Sequence, residues 1–286
     1  MSKDIQICNI NKIYNKKAAL SNISTTIKSG TITGFLGRNG AGKTTLMNII
    51  CGRRIANSGN ITIDNEKILE NDNLLGQIYM TSPDNMFPKS TKVKDIFRYT
   101  EKFYDNYDKE YAERLIKRFH LDINKHSDKL STGFQSILKL ICCLASNAEY
   151  MIFDEPVLGL DANNRDDFYK LLIEKYMELD NTIILSTHII SEIETLIEEI
   201  IVIDEGKILL QESVEELMKS GYQVSGSISD VEKYIADKDI LSKTTIGGLM
   251  SASIMGQRED KPENLDFSNI KLQDLFIKLT NEREDR

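Results

Sequence analysis

Gly37-Arg38-Asn39-Gly40-Ala41-Gly42-Lys43-Thr44 is the stretch that decides the fold. Its spacing, G-x-x-x-x-G-K-[ST], is that of a phosphate-binding loop. It follows the apolar strand Thr31-Ile32-Thr33-Gly34-Phe35-Leu36 and opens a helical segment. In that segment Leu46, Met47, Ile49 and Ile50 make one apolar face, and Gly52 is the expected stop. Strand before and helix after are the context the pattern requires; a chance glycine-rich loop has neither. Glycines let backbone N–H groups turn inward around phosphate oxygens, and the helix N-terminus adds a positive partial charge. Lys43 has the reach for β- and γ-phosphates, and the Thr44 hydroxyl suits Mg²⁺.

Working outward, Ile5-Gln6-Ile7 and Ser24-Thr25-Thr26-Ile27 alternate as strands, and a turn at Lys28-Ser29-Gly30 leads to the loop strand. Residues 60 to 64 read as another strand before a turn at Asn65. Residues 91 to 146 change character: helical periodicity, many charges, and the aromatics Phe97, Tyr99, Phe103, Tyr104, Tyr107 and Tyr111. Residues 150 to 153, 181 to 186 and 200 to 203 are continuously apolar strands separated by helices, which predicts a parallel sheet covered on both faces. Ser191 with Glu194 has the capping-box spacing for the helix between the last two. After Gln211 the composition shifts. A strand over 222 to 228, a helix over 230 to 236, two strands around Gly247-Gly248, a polar stretch near Lys261-Pro262-Glu263 and an amphipathic helix over 272 to 280 predict a small α+β appendix. The expected division is therefore 1–211 and 212–286, with a helical subdomain at about 91–146.

Two strand ends carry chemistry. Residues 151 to 153 run into Asp154-Glu155, and in an open parallel sheet ligands sit beyond the C-terminal ends of the strands. Asp154 is then placed to hold Mg²⁺ and Glu155 to orient or deprotonate a water; the competing reading is a surface acidic turn. His188 follows the apolar strand ending Ser186-Thr187 and falls near the same place. Leu130-Ser131-Thr132-Gly133-Phe134 precedes a helix, so Ser131 and Gly133 are candidates to donate an O–H and an N–H to phosphate. Ser-Thr-Gly before a helix is equally an ordinary N-cap.

Composition bounds the rest. The 286 residues carry 36 Lys and Arg against 44 Asp and Glu, a net charge of −8, which disfavours nucleic-acid binding by bulk electrostatics. The longest apolar run, 137 to 145, is interrupted by Lys139, well short of the ~18 apolar residues that span a bilayer. Met1 to Gln6 carries no apolar signal segment, so a cytosolic chain is expected. The four cysteines lack metal-ligand spacing and read as buried thiols.

The order of these motifs resembles the ATP-binding-cassette (ABC) family over roughly residues 3 to 211. The carriers are the phosphate loop, Asp154-Glu155-Pro156, Gly159-Leu160-Asp161, His188, and Leu130-Ser131-Thr132-Gly133-Phe134 in the place of that family's L-S-G-G-Q signature. The resemblance implies a P-loop NTPase cassette of α/β class: a RecA-like parallel-sheet core, an antiparallel β subdomain and a helical subdomain, followed by the C-terminal appendix. It implies ATP and Mg²⁺, and two cassettes, alike or different, closing head to tail over two ATP molecules. In that arrangement Gly37, Arg38, Asn39, Gly40, Ala41, Gly42, Lys43, Thr44 and Thr45 cradle the phosphates. Tyr14 stacks on adenine, unless it is a plain core or surface aromatic. Ser131 and Gly133 touch the γ-phosphate bound by the other cassette, and Asp161 bridges the sites. Thr44 and Asp154 hold the metal, Glu155 is the general base, and His188 steadies the γ-phosphate and the water.

The sequence departs from the family at three places. Ser82 stands where a Gln or Glu usually reaches the metal, with Asp84 and Gln77 as alternatives. Thr132 and Phe134 replace a Gly and a Gln of the signature, and Val157 stands where Ser or Thr is common. The resemblance further implies a separate transmembrane permease as partner, docked through residues 91 to 146 together with Pro83, Phe87, Pro88 and the aromatics. That places the chain in the cytoplasm, on the inner face of the cell membrane. The appendix looks like tails of cassettes exporting drugs or antimicrobial peptides. The competing class is a soluble ATPase acting on ribosomes, nucleic acid or an assembly partner. The single cassette and the lack of a long coiled coil speak against it.

Overall fold

The computed structural model describes residues 3–84, 86–258 and 262–281. Lys261, in the expected polar stretch, lies outside them. The first part of the chain runs β1 (Ile5–Tyr14), β2 (Lys17–Ile27), β3 (Ile32–Leu36), α1 (Lys43–Ile50), β4 (Ser58–Ile63), β5 (Glu66–Lys67), α2 (Asp72–Leu75) and β6 (Ile78–Thr81). It continues through α3 (Val93–Phe103), α4 (Lys109–Arg118), α5 (Thr132–Ser146), β7 (Tyr150–Asp154), α6 (Ala162–Leu179) and β8 (Thr182–Ser186). Then follow α7 (Ile190–Ile193), β9 (Glu199–Asp204), β10 (Lys207–Ser213), α8 (Val214–Lys219), β11 (Gly221–Ser227), α9 (Ile228–Tyr234), β12 (Ile240–Ile246), β13 (Leu249–Met255), β14 (Asp266–Asn269) and α10 (Leu272–Asn281). Two compact units emerge: Met1–His188 with Ile203–Ile208, and Ile189–Val202 with Leu209–Arg286.

In the first unit β3, β8, β7 and β6 lie side by side and parallel. Every residue of β3, β6, β7 and β8 is buried, as continuous apolar runs require when both faces of a sheet are covered. The C-terminal ends of β3, β7 and β8 therefore open on one edge, which is where Gly37, Asp154 and Thr187 begin. An antiparallel sheet, β2-β1-β4-β5, forms the second layer. Its β1 starts with strict alternation, Ile5 and Ile7 inward, Gln6 and Cys8 outward. That alternation corrects the cysteine expectation: Cys8 is exposed and Cys51 half-buried, and only Cys142 and Cys143 are buried.

The 91–146 segment holds α3, α4 and α5, with a 3₁₀ turn at Ser127–Lys129 before the last. Phe97 and Tyr111 point into its packing, while Tyr99 and Phe103 remain 47% and 79% exposed. Helix α5 is buried along its whole second half, residues 137 to 146 included.

The second unit carries the sheet β12-β13-β11-β14. Tyr222, Val224, Val231, Ile235, Met250, Ala252, Ile254 and Leu265 form its core, and the rings of Tyr222, Tyr234 and Phe267 pack against one another. Each large apolar side chain so buried contributes about 1.5–3 kcal/mol. The capping box is not realised: α7 has only four residues, begins after Ile189 and has no side-chain cap. Glu194 instead accepts a hydrogen bond from the Leu272 N–H at the start of α10 (3.0 Å), so tertiary pairing takes the carboxylate the local motif would use. Helix α9 starts two residues before expectation because Ser227 caps it, accepting from the Asp230 N–H (3.2 Å).

Candidate functional site

The loop after β3 is shaped by two left-handed glycines, Gly40 (φ 84°) and Gly42 (φ 116°). A side chain at Gly42 would meet Leu20 Cδ2 at 2.8 Å and the Ala19 carbonyl at 2.9 Å, and one at Gly37 would strike the Ile203 carbonyl. Nothing lies within 4 Å of a Cβ built on Gly40, so the mouth of the loop is open. Ala19, Asn39, Gly40, Ala41, Gly42, Lys43, Thr44, Thr45, Asp154 and Glu155 line one cleft of about 160 Å³. No sequence pattern marks Ala19, which reaches the cleft on β2.

Lys43 is buried and donates to the carbonyls of Gly37 (2.6 Å) and Arg38 (3.2 Å). Burial pulls its ammonium below the ordinary lysine range, and the carboxylates of Glu155 and then Asp154 pull it back up. A cation held by two loop carbonyls and favoured by two nearby carboxylates, at the end of an open glycine loop, is a phosphate-binding arrangement.

Asp154 ends β7, 2% exposed. Ser186, at the end of the neighbouring β8, donates its hydroxyl to Asp154 Oδ1 (2.7 Å) and accepts from the Glu155 N–H (3.2 Å). The Ser186 carbonyl also accepts from the Glu155 N–H (3.1 Å). Ser186 thus fixes the Asp154 carboxylate and the Glu155 backbone, a role only the register of β7 and β8 reveals. Glu155 turns out of the strand at φ 46°, and its Oε2 meets His188 Nδ1 at 2.7 Å. Strand-end placement therefore brings Lys43, Thr44, Asp154 and Glu155 to one cleft, with His188 on Glu155.

Other expected residues lie apart. Ser82, Asp154 and Glu155 line a smaller adjoining cavity of about 10 Å³. The Ser82 hydroxyl accepts from the Asp84 N–H (3.3 Å), and the Gln77 carbonyl accepts from the Tyr150 N–H (3.0 Å). Tyr14 is 41% exposed under the Lys12 ammonium (5.0 Å to the ring) and is not among the described residues lining the cleft. Ser131 caps α5, accepting from the Phe134 N–H (3.4 Å), and Asp161 caps α6, accepting from the Asn164 N–H (2.9 Å). A Cβ on Gly133 would meet the Gly159 carbonyl at 2.8 Å, so the 130–134 and 159–161 segments pack closely. Ser131, Gly133 and Asp161 are absent from the described lining of the phosphate-loop cleft.

Among the described residues no three His, Cys, Asp or Glu side chains cluster to hold a metal by themselves. One hydroxyl (Thr44) and one carboxylate (Asp154) on the same cleft suit a hard cation that completes its shell with phosphate oxygens and water.

The fold and the site define a P-loop ATPase of the cassette type. The chain matches the family model for ABC transporters over residues 20–158. It is 26% identical to the ABC transporter ATP-binding protein YtrB of Bacillus subtilis (strain 168), over 96% of this chain and 97% of that one. It is 30% identical to the bacitracin transport ATP-binding protein BcrA of Bacillus licheniformis, over 77% and 72% respectively. It is 28% identical to the zinc uptake system ATP-binding protein ZurA of Listeria innocua serovar 6a, over 84% and 92%. Among solved structures it resembles an ATP-binding subunit of an ABC transporter with a TM-score of 0.65 at 18% identity, covering 81% of this chain and 93% of that one. The chain belongs to the ABC transporter family, as an ATP-binding and ATP-hydrolysing subunit.

Proposed function

We propose that this chain is the ATPase subunit of a bacterial exporter for drugs or antimicrobial peptides, acting from the cytoplasmic face of the membrane on a separate transmembrane subunit. The observation that carries the reading is the Glu155–His188 pair at 2.7 Å on the cleft that also holds Lys43 and Thr44. ATP enters the open loop, and Lys43 exchanges the Gly37 and Arg38 carbonyls for β- and γ-phosphate oxygens. Thr44 and Asp154 would hold Mg²⁺, which would neutralise phosphate charge. Glu155 takes a proton from the attacking water, and His188 orients Glu155 and the γ-phosphate. Phosphoryl transfer asks mainly for positioning and charge compensation, and these groups supply both. Ser131 and Gly133, outside the described lining of their own loop's cleft, serve the nucleotide of a second cassette, and Asp161 lies between the two sites. Closure of that dimer excludes water and makes ATP the switch. The cassette occupies residues 1–211, and 212–286 is accessory.

The docking surface is supported by a groove of about 850 Å³ lined by Met86, Phe87, Pro88, Tyr99, Phe103 and Tyr104 among others. Exposed aromatics rimming a concavity are what an inserted helix of a membrane partner would cover. Among the described residues no helix is long and apolar enough to cross a membrane. The similarity to a protein named for bacitracin transport supports a drug or peptide as cargo. Export as the direction rests on the resemblance of residues 212–286 to exporter tails, beside a relative named for zinc uptake. The test is affinity purification of the chain from its host in detergent. A co-purifying multi-span protein is expected, and its deletion should sensitise cells to a drug or peptide. Recovery of ribosomes or soluble proteins alone would overturn the transporter reading, and loss of uptake on deletion would reverse the direction.

A further inference from the structure

Lys139 breaks the apolar run of α5, and it is 6% exposed. Burying an ammonium costs several kcal/mol unless its protons are bonded. All three are directed at consecutive carbonyl oxygens after β6: Ser82 (2.7 Å), Pro83 (3.0 Å) and Asp84 (2.7 Å). Burial draws the group below the ordinary lysine range, and Asp84 draws it back. The loop so gripped is not an ordinary one. Thr81, Ser82, Pro83 and Lys139 line the same small cavity as Asp154 and Glu155. The Ser82 side chain is spent on the Asp84 N–H, so the 82–84 backbone takes its hold from the lysine across the cavity. An apolar residue at 139 would satisfy the core of α5 and leave three carbonyls without these donors. The charge serves the loop. It also ties that loop to Ser131, which caps the same helix eight positions earlier (139 − 131), about 12 Å away along the axis.

We propose that Lys139 is a positioning residue for ATP hydrolysis: its ammonium pins the 82–84 loop beside Asp154 and Glu155 to the helix that begins at Ser131. A shift of the loop when nucleotide arrives then moves α5, and a shift of the Ser131 end moves the loop. The effect on turnover needs only the ATPase site. Transmission to a second nucleotide rests on the two-cassette reading above.

The experiment compares the full chain with Lys139→Met and, in parallel, Glu155→Gln, by equilibrium ATP binding, steady-state turnover and amide hydrogen exchange over residues 79–91. Lys139→Met should bind ATP as wild type does and exchange faster across that segment. Its kcat should fall ~10- to 100-fold, the worth of charge-assisted hydrogen bonds that hold a positioned group. Wild-type kcat in folded Lys139→Met would overturn the proposal, and so would a parallel loss of kcat and affinity, the mark of general core damage. If Lys139→Met does not fold, the wild-type protein carries the test. The Lys139 Nζ resonance, assigned by its absence in Lys139→Arg, should be protected from solvent exchange and move when ATP is added. A resonance that ATP leaves in place would overturn the proposal. Turnover by Glu155→Gln equal to wild type would sink the catalytic reading itself. Loss in Glu155→Gln with none in Lys139→Met would sink the Lys139 proposal alone.

Discussion

Lys43 and Ser186 show how little freedom the site's side chains have. Lys43 is held between loop carbonyls and drawn toward Glu155 and Asp154, so its charge is pre-placed where phosphate charge will arrive. Lys43→Ala should therefore weaken ATP binding itself, as isothermal titration would show; unchanged affinity would contradict the cradle. Ser186 is buried and bonds the Asp154 carboxylate and the Glu155 N–H. Ser186→Ala leaves a buried carboxylate with one donor fewer and should cost ~1–3 kcal/mol of stability, read from the denaturant midpoint, with slower turnover. An unshifted midpoint would show that Asp154 does not need this hydroxyl. The sequence displays Asp154, Glu155 and His188 because strand ends in a parallel sheet are legible as apolar runs that stop at polar residues. It hides Ser186, whose partners lie 31 and 32 positions away and meet it only through strand register. Lys139 is visible as an interruption in an apolar run; its three carbonyl partners, 55 to 57 positions earlier, are not.

Among elements, the phosphate loop and α5 carry the most specific local chemistry. Gly42 adopts φ 116°, and a Cβ there would lie under 3 Å from Leu20 and the Ala19 carbonyl. Gly42→Ala should cost ~1–3 kcal/mol in strain and abolish ATP binding, checked by thermal melting with and without nucleotide. A variant that melts and binds like wild type would mean the loop has another way to close. Ser131→Ala removes the α5 cap and should cost ~0.5–2 kcal/mol, a shift thermal melting resolves. The strongly apolar elements are legible: α1, α5, β7 and β8 follow their apolar periods closely. Elements that depend on a distant partner are not. Strand β14, Asp266–Asn269, has no apolar alternation and exists because β11 offers it an edge. Helix α7 keeps its capping-box spacing in sequence but not in three dimensions, where Glu194 pairs with Leu272. Tyr14 follows the same logic in reverse: a motif position assigns it to adenine, while its ring faces Lys12 at the end of β1.

For the whole molecule, Ser131, Gly133 and Asp161 lie outside the described lining of the phosphate cleft, and in the proposed function they serve the nucleotide of a second cassette. In the same proposal the exposed groove aromatics receive the membrane partner. Phe103→Asp with Tyr99→Ser should leave ATP binding by the isolated chain intact and abolish recovery of the membrane subunit; retention of that subunit would move the docking surface elsewhere. The most direct test of the account is ATP binding set beside ATP turnover in the purified assembly, wild type against Glu155→Gln. The predicted result is equal ATP affinity with turnover ~10²- to 10⁴-fold lower in the mutant, the usual worth of a general base. Equal turnover by the two proteins would contradict the account, because no hydrolysis could then depend on the carboxylate that the whole site is built to present.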